Sequence, residues 1–354
     1  MTQAHINQIS TARPPHDVHA SFVAYTARGL PSVRHRDLFH RMARRAGISH
    51  RYSVLHQDGL VEAQAPEPGF YRRGAFPGTA QRMSLYAEHA PGLAEQAVNR
   101  LDLQGREQEI THLIVASCTG FIAPGLDQIL AARLGLRADL QRTMVGFMGC
   151  AAAVPALRIA QATVLADPAA RVLVVNLELC TLHMQETNEL DIALTFLLFG
   201  DGATAALVTA EPHGFALEDF RTTTIANTED CITWHVGDQG FVMHLSGQVP
   251  SKISAALRAA PDFILRGEGT QALQLWAVHG GGRSVLDAVE GAFGLEAAAL
   301  APSRAVLETH GNMSSATIMF VLAGMLKTAQ PGQRGLAMAF GPGMVTETFR
   351  FTAR

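Results

Sequence analysis

The chain has 354 residues, which is enough for two domains or one large duplicated domain. Hydrophobic residues make up 48% of it and charged residues 17%, a balance typical of compact globular proteins, which excludes disorder as the main state. The 28 Lys and Arg against 31 Asp and Glu give a net charge of −3, too little to collect nucleic acid or an anionic membrane surface non-specifically.

The first half of the chain alternates strand and helix patterns. Residues 19–55, rich in Arg and His, are expected to form helical surface. From residue 111 onward, apolar runs of strand length alternate with helical patterns, which is typical of parallel α/β layers. The predicted strands are 111–117, 143–147, 171–178 and 203–208, with helices at 127–136 and after Cys150.

A turn at residues 211–214 separates this half from a second one with the same alternation. The second half is predicted to contain strands at 216–225, 240–245, 273–278, 335–340 and 344–351, and helices from Ser251, at 284–293 and at 314–328. The sequence therefore predicts an α/β protein built from two similar halves.

The N-terminus, the apolar stretches and the cysteines indicate the cellular compartment of the protein. The N-terminus shows no secretory signal, and the longest apolar stretches are shorter than the roughly 20 residues that span a bilayer. The four cysteines have no metal-like spacing and need no disulfide framework in a chain of this size. We therefore expect a soluble cytoplasmic protein without a membrane span. The cysteines are Cys118, Cys150, Cys180 and Cys231.

Cys150 is the first candidate catalytic residue. It follows Gly149, where a short apolar strand turns into an Ala-rich helix. Backbone N–H groups at the start of a helix stabilise a thiolate and lower its pKa, and small neighbours give a substrate access to the sulfur. The alternative is a buried cysteine that packs as a small hydrophobic residue.

His279 and Asn312 are the other two candidates. His279 ends a predicted strand and precedes three glycines, so a ligand can approach its imidazole closely. Asn312 lies just before a helix, where it could equally be a helix N-cap. Together with Cys150 they would form a thiol, an imidazole partner and an amide donor for a thioester oxygen. Sequence alone leaves open whether the three meet in space.

Five segments in order closely resemble the type III polyketide synthases, the chalcone synthase-like branch of the thiolase fold. Three of them surround Cys150, His279 and Asn312; the others are 198–203 and 340–343. The resemblance covers residues 21–351. It implies a five-layered αβαβα fold, with an N-terminal half at 1–212 that carries the cysteine and a C-terminal half at 213–354 that carries the histidine and asparagine.

The resemblance also implies a mechanism. Cys150, activated by His279, would hold an acyl-CoA starter as a thioester, while His279 and Asn312 stabilise the enolate formed when malonyl-CoA loses carbon dioxide. Chain growth would repeat before ring closure. Coenzyme A thioesters would be the substrates, without a metal or redox cofactor or an acyl carrier protein. The enzyme would be a cytoplasmic homodimer in which Ala123 reaches the partner's cavity, with no nucleic-acid or membrane partner.

Further residues match family positions around the substrate path. Phe199 matches a gatekeeper phenylalanine, although it is equally typical of a core aromatic beside a Gly turn, and Met243 replaces the second gatekeeper. Arg41 and Arg45 match positions that contact coenzyme A phosphates, or form a solvated helix face. Gly341, Pro342 and Gly343 match the family's loop at the cyclisation pocket.

The predicted cavity wall differs from that of plant chalcone synthases. Threonines of those enzymes are replaced by Cys118, Cys180 and His183, and a glycine by Trp234. Cys118 is expected to be a small cavity-lining residue and not a second nucleophile. This pattern resembles bacterial enzymes that make alkylpyrones, alkylresorcinols or phloroglucinol-type rings, and it favours an aliphatic or fatty acyl starter.

Two other functions fit the same residues. A ketoacyl synthase III would extend a starter once on an acyl carrier protein with the same Cys, His and Asn, and a catalytically silent thiolase-fold protein would act as a scaffold. The starter, the number of extensions and the mode of cyclisation depend on cavity shape, which the sequence does not define.

Overall fold

The computed structural model describes residues 2–56 and 69–354. Its strands are β1 His5–Ala12, β2 His16–Asp17, β3 Tyr52–Ser53, β4 His112–Ser117, β5 Gln141–Gly146, β6 Val172–Leu179, β7 Asp201–Thr209, β8 Phe215–Thr224, β9 Ile232–Gly237, β10 Gly240–Leu245, β11 Leu275–Val278, β12 Arg334–Gly341 and β13 Val345–Ala353. Its helices are α1 His19–Gly29, α2 Val33–Arg45, α3 Thr79–Val98, α4 Leu126–Arg133, α5 Ala153–Ala166, α6 Leu190–Phe196, α7 Val249–Ala259, α8 Pro261–Leu265, α9 Arg283–Phe293, α10 Ala301–His310 and α11 Ala316–Leu326.

The large sheet repeats one pairing pattern twice. Its strand order is β11-β12-β13-β8-β1-β7-β6-β4-β5. Outward from β1, the pairings with β7, β6 and β4 are antiparallel, antiparallel and parallel. Outward from β8, the pairings with β13, β12 and β11 follow the same sequence of directions. A short antiparallel pairing of β1 with β8 joins the two groups, so the chain contains two halves of similar plan.

Helices α5 and α11 lie between the two groups of strands. Helix α5 contacts β4, β6 and β7 of one group and β8 and β13 of the other, and α11 contacts β1, β6 and β7 as well as β11 and β12. The outer face of the first group is covered by α3 and α4, and α10 contacts β11 on the outer face of the second. The order of layers is therefore αβαβα, which confirms the predicted fold class.

Alternating side chains along the strands build the cores between these layers. On β4, Leu113 packs outward toward α3 and α4, whereas its neighbour Ile114 packs toward the central helices. On β12, Leu336 faces the outer core of the second half and Ala337 the central one. Both faces of these strands are buried, which explains why their sequences are continuous apolar runs.

One segment, residues 149–166, is long and apolar enough by composition to cross a membrane. It contains α5, the helix that packs between the two groups of strands, and 56% of it is buried inside the protein. Its apolar character therefore has a structural reason in the central layer of the fold, because both sides of α5 face strands.

The predicted strands of the sheet are all observed, but β1, β2, β3, β9, α3, α6 and α10 were not predicted. Strand β1 has the sequence HINQISTA, in which polar residues interrupt the apolar pattern, and it is buried because β7 and β8 flank it. The division between residues 1–212 and 213–354 falls in the turn between β7 and β8. As a functional division it stays a prediction.

Candidate active site

A cavity of about 890 Å³ opens where four strands of the two halves end. Cys118 follows β4, Cys180 follows β6, His279 follows β11 and Gly341 ends β12, and all four line the cavity. In α/β sheets, ligand sites form beyond the carboxyl ends of strands. The cavity therefore lies where the topology favours a binding site.

Cys150 lines this cavity from the short 3-10 turn Gly149–Ala151 that precedes α5. The side chain is half-buried. Its Sγ lies 3.9 Å from Oδ1 of Asn312 and 4.0 Å from Nδ2 of the same amide. The turn and the loop before α11 thus bring together two residues that are 162 positions apart in the chain.

Asn312 also contacts His279, so its amide lies within reach of both partners. Nε2 of His279 lies 3.2 Å from Asn312 Oδ1, which also accepts a 2.8 Å hydrogen bond from the backbone N–H of Ser314. Asn312 Nδ2 donates to the carbonyl of Gly281 at 3.3 Å. Because these bonds fix the amide orientation, the Nδ2 side keeps one further N–H near the sulfur of Cys150.

Burial determines the protonation states of the thiol and the imidazole. It raises the pKa of Cys150 to about 11, with Glu178 raising it further and hydrogen bonds with Ser314 and Asn312 opposing. It lowers the pKa of His279 to about 4, against the hydrogen bond with Asn312. The expected lowering of the thiol pKa by the helix start is thus not observed, because desolvation of the thiolate outweighs it. Both groups are neutral at pH 7.

The loop Gly341, Pro342 and Gly343 packs against the turn that holds the cysteine. Gly341 and Pro342 line the cavity. Gly149 has a φ of +60°, and a Cβ on it would lie 2.4 Å from Cδ of Pro342. Glycine is therefore required before Cys150 both by the backbone conformation and by the contact with this loop.

Trp234 and Met243 face each other on the β9–β10 hairpin and line the cavity together. Nε1 of Trp234 donates a 2.9 Å hydrogen bond to the carbonyl of Cys118. His183 is not among the lining residues, which corrects its predicted place in the cavity wall. It is fully buried behind the wall, stacked on Phe241 with ring centroids 4.3 Å apart. Its Nε2 contacts the carbonyl of Thr119, which makes it a support for the wall.

Phe199 lines the cavity beside apolar residues of several elements. The backbone of Phe199 forms a parallel bridge with Asn312, so the predicted gate residue lies next to the amide. The apolar part of the lining includes Ile192, Leu194, Leu245, Val249 and Ile253.

Three exposed residues also line the cavity and mark where it opens to solvent: Met42 and Arg45 of α2, and Arg283 at the start of α9. Arg41 lies on the same helix but is not among the lining residues. The predicted contact of Arg41 and Arg45 with coenzyme A stays a prediction, with Arg45 the better placed of the two.

Two residues near the site, Glu178 and Ser314, were not singled out from the sequence. Glu178 is fully buried at the end of β6 and accepts hydrogen bonds from Cys118 N–H, Thr119 Oγ1 and Ser315 Oγ at 2.6–3.0 Å. Burial raises its pKa to about 7, and these bonds oppose the shift. A carboxylate near the end of a mostly apolar strand is the signal that points to Glu178, because buried charges need partners.

Within residues 2–56 and 69–354, no group of three or more His, Cys, Asp or Glu side chains is placed to hold a metal ion. The four cysteines are free thiols. The prediction that the chemistry needs no metal or redox cofactor is not tested by this arrangement and stays a prediction.

Nearly all of the chain matches one protein family. Residues 2–212 match the N-terminal domain of the chalcone and stilbene synthases, and residues 217–353 match their C-terminal domain. An alpha-pyrone synthesis polyketide synthase-like protein of Mycobacterium tuberculosis, Pks18, is 36% identical over 76% of this chain and 72% of its own length. A bisdemethoxycurcumin synthase of Oryza sativa subsp. japonica is 33% identical over 88% of this chain and 82% of its own.

Solved structures agree with this match. The PKS-I enzyme of the brown alga Ectocarpus siliculosus is 29% identical, with a TM-score of 0.91 over 100% of this chain and 99% of its own. The protein CsyB, solved in complex with CoA-SH, is 25% identical, with a TM-score of 0.86 over 99% of this chain and all of its own. Both similarities extend over the two halves of the fold.

Proposed function

Because the chain belongs to the chalcone and stilbene synthase family, and so to the type III polyketide synthases, we propose that it extends an acyl-CoA starter iteratively with malonyl-CoA. Enzymes of this family are condensing acyltransferases that use coenzyme A thioesters. The observation that carries the proposal is the position of Asn312, whose amide contacts both His279 and Cys150 at the wall of one cavity.

The first step would load the starter. Sγ of Cys150 attacks the thioester carbon and its proton passes to His279, which is neutral and so able to accept it. Coenzyme A leaves as the thiolate and takes a proton back from the imidazolium. The acyl group is then held on Cys150 as a thioester, and the imidazole is neutral again.

The second step would extend the acyl group held on Cys150. Malonyl-CoA loses carbon dioxide, and the electron pair left behind forms an enolate whose oxygen accepts hydrogen bonds from His279 Nε2 and Asn312 Nδ2. The enolate carbon attacks the Cys150 thioester, so a carbon–carbon bond forms and the thiolate leaves. For this, Nε2 exchanges its present partner, Asn312 Oδ1, for the enolate oxygen.

We propose an aliphatic or fatty acyl starter and an alkylpyrone, alkylresorcinol or phloroglucinol-type product. Two observations support this choice. Much of the cavity lining is apolar and includes Ile192, Leu194 and Ile253, which suits an alkyl chain. The Mycobacterium tuberculosis relative is named as an alpha-pyrone synthesis polyketide synthase-like protein.

We also propose a cytoplasmic homodimer that uses no metal or redox cofactor and binds neither nucleic acid nor membrane. Support for a second copy comes from Phe121, Met144 and Met148, large apolar side chains that are exposed on and beside the edge strand β5. The loop that contains Ala123 follows Phe121, so a partner on this face would lie near the cavity wall. Size measurement of the purified protein by light scattering tests the dimer.

The function is tested by incubating the purified protein with malonyl-CoA and acetyl-, medium-chain, long-chain and aromatic acyl-CoA starters. Mass spectrometry of pyrones or phenolic rings that differ by ketide units would support iterative extension and identify the starter class. A single extension that requires malonyl-acyl carrier protein would instead indicate ketoacyl synthase III-like activity. If no product forms with either malonyl donor, the remaining alternative is a catalytically silent scaffold.

A further inference from the structure

Two backbone hydrogen bonds join Asn312 to the residues on either side of Phe199. Asn312 N–H donates to the carbonyl of Leu198 at 2.8 Å, and Gly200 N–H donates to the carbonyl of Asn312 at 3.0 Å. A shift of the 198–200 segment therefore moves Asn312, and with it the amide that contacts His279 and Cys150. We call residues 198–200 and 310–312 the joint.

Arg51 is bound to one side of this joint. It is 1% exposed, and its Nη1 donates to the carbonyls of Phe196 at 3.0 Å and Phe199 at 2.8 Å. Its Nε donates to Nδ1 of His19 at 3.0 Å, and its guanidinium carbon lies 4.2 Å from the ring centroid of Phe22. One side chain thus holds two carbonyls of the segment that carries Phe199.

Two glycines show how closely the Arg51 side chain packs into the joint. A Cβ on Gly311 would lie 2.8 Å from Cγ of Arg51 and 2.7 Å from the carbonyl oxygen of Leu198, and Gly311 has a φ of +71°. A Cβ on Gly200 would lie 2.7 Å from the carbonyl oxygen of His310. The aliphatic part of Arg51 therefore fills the space that these glycines leave, directly beside Asn312.

Arg51 stays charged in this position. Burial lowers its pKa to about 9, and the charges of Asp17 and Asp201 oppose that shift. At neutral pH the guanidinium is therefore a cationic donor, and hydrogen bonds from charged donors to carbonyls are stronger than those from neutral donors. The residue lines no part of the large cavity, so it does not touch the reacting atoms.

We propose that Arg51 is a positioning residue that holds the joint, and thereby keeps the Asn312 amide where it binds the enolate. This rests on the proposed function, in which Asn312 serves decarboxylative condensation. Removing the guanidinium leaves two buried carbonyls without their donor, so the 196–200 segment shifts to find other donors. A displacement of about 1 Å at a reacting group costs on the order of 100-fold in rate.

The rate of starter loading distinguishes a positioning role of Arg51 from a general loss of folded protein. Cys150 lies on the turn before α5, which is not part of the joint. Loss of Arg51 should therefore slow the condensation that needs Asn312 far more than the formation of the thioester on Cys150. A purely structural role would lower both in proportion to the fraction of folded protein.

The experiment compares Arg51→Gln and Arg51→Lys with wild type. Thioester formation on Cys150 is followed by intact-protein mass spectrometry, and condensation by product formation from malonyl-CoA. For Arg51→Gln we expect loading within about twofold of wild type and condensation about 10- to 100-fold slower. Arg51→Lys, which keeps the charge and one donor, should recover part of the condensation rate.

Arg82 provides the matched control. It is also fully buried, and its Nη1 donates to the carbonyls of Leu182 at 2.6 Å and Met184 at 2.9 Å, outside the joint. We expect Arg82→Gln to lower stability while leaving the ratio of condensation to loading unchanged. If Arg51→Gln does not fold, Arg51→Lys is decisive through hydrogen exchange, which should be faster at the Gly200 and Asn312 amides.

The proposal is overturned if both Arg51 variants keep the wild-type ratio of condensation to loading, or if exchange at Gly200 and Asn312 is unchanged in Arg51→Lys. These results are distinguishable from failure of the proposed function. If the proposed function is wrong, the wild-type protein itself extends no starter. Hydrogen exchange at the Gly200 and Asn312 amides then still shows whether Arg51 holds the joint.

Discussion

The indole of Trp234 reaches across the cavity wall to the end of β4, where its Nε1 donates a 2.9 Å hydrogen bond to the carbonyl of Cys118. Behind the indole, His183 and Phe241 each make an edge-to-face contact with it, with centroids 5.4 and 5.7 Å away. A bulky side chain is therefore anchored at one end and supported from behind, which makes it a fixed part of the wall.

Trp234→Gly is expected to lengthen or redirect the product, because removing the indole joins its volume to the cavity. Trp234→Phe is the control, since it keeps most of the bulk and loses only the hydrogen bond to Cys118. Product masses with each starter are read by mass spectrometry. An unchanged product profile for Trp234→Gly with every starter would show that the indole does not limit chain growth.

Cys150→Ala is expected to abolish loading and elongation while leaving the fold intact, because the nucleophilic sulfur is lost from a cavity-facing turn. Cys118→Ala should still load a starter. Burial raises the pKa of Cys118 well above its ordinary value, with Glu178 adding to the shift, so that thiol stays protonated. Intact mass after incubation with an acyl-CoA shows the adduct, and circular dichroism shows the fold. Wild-type product from Cys150→Ala would refute the mechanism.

Gly149→Ala is expected to destabilise the protein and slow loading, since the new Cβ collides with Pro342 and shifts the turn that carries Cys150. Gly135→Ala is the matched control, because Gly135 has the same φ of +60° but nothing within 4 Å of its Cβ position. We expect about 1–2 kcal/mol of lost stability for Gly135→Ala and about 2–4 for Gly149→Ala. Urea unfolding and loading rates measure both, and equal effects of the two changes would argue against the collision.

Arg45→Ala is expected to raise KM for malonyl-CoA with little change in kcat, because the guanidinium lies at the cavity opening and would bind phosphate there. Arg41→Ala, on the same helix but away from the lining, should have a smaller effect. A malonyl thioester that lacks the nucleotide is the control substrate, and its KM should not respond to either change. An equal rise in KM for both thioesters would indicate that Arg45 acts on the fold and not on phosphate.

Much of this site follows from the sequence because its motifs lie at the ends of strongly patterned elements. Cys150, His279 and Asn312 each follow a strand or precede a helix, and such ends converge on one edge of an α/β sheet. Arg51 and Glu178 could not be assigned in this way. Arg51 donates to carbonyls 145 and 148 residues away, and Glu178 accepts from a hydroxyl 137 residues away, which only the packed layers bring together.

The prediction that the helix start lowers the pKa of Cys150 was wrong for a related reason. A helix start is visible in a sequence, whereas desolvation depends on how completely the surrounding layers exclude water. The prediction for His183 failed in a similar way. Alignment with the family placed the residue near the cavity, but it did not show in which direction the ring packs. It supports the wall from behind through Phe241, instead of lining the cavity.

His183→Gln is expected to make stability less dependent on pH in mildly acidic solution. Burial lowers the pKa of His183 to about 3, against its hydrogen bond with Thr119. The unfolded chain therefore binds a proton that the folded protein excludes, so this contribution is complete above about pH 6.5 and is lost as pH falls toward 3. Gln can still donate to the Thr119 carbonyl and accept from Phe241 N–H, but it does not titrate.

Urea unfolding at a series of pH values from 7 down to 4.5 measures this difference. We expect the slope of unfolding free energy against pH to be shallower in His183→Gln by about one proton, or about 1.4 kcal/mol per pH unit. Glu178 and Asp201, whose raised pKa values act in the opposite direction over this range, are present in both proteins and cancel in the comparison. Parallel slopes would mean that His183 takes up its proton without unfolding, and that the ring is less enclosed by Phe241 and Trp234 than its contacts indicate.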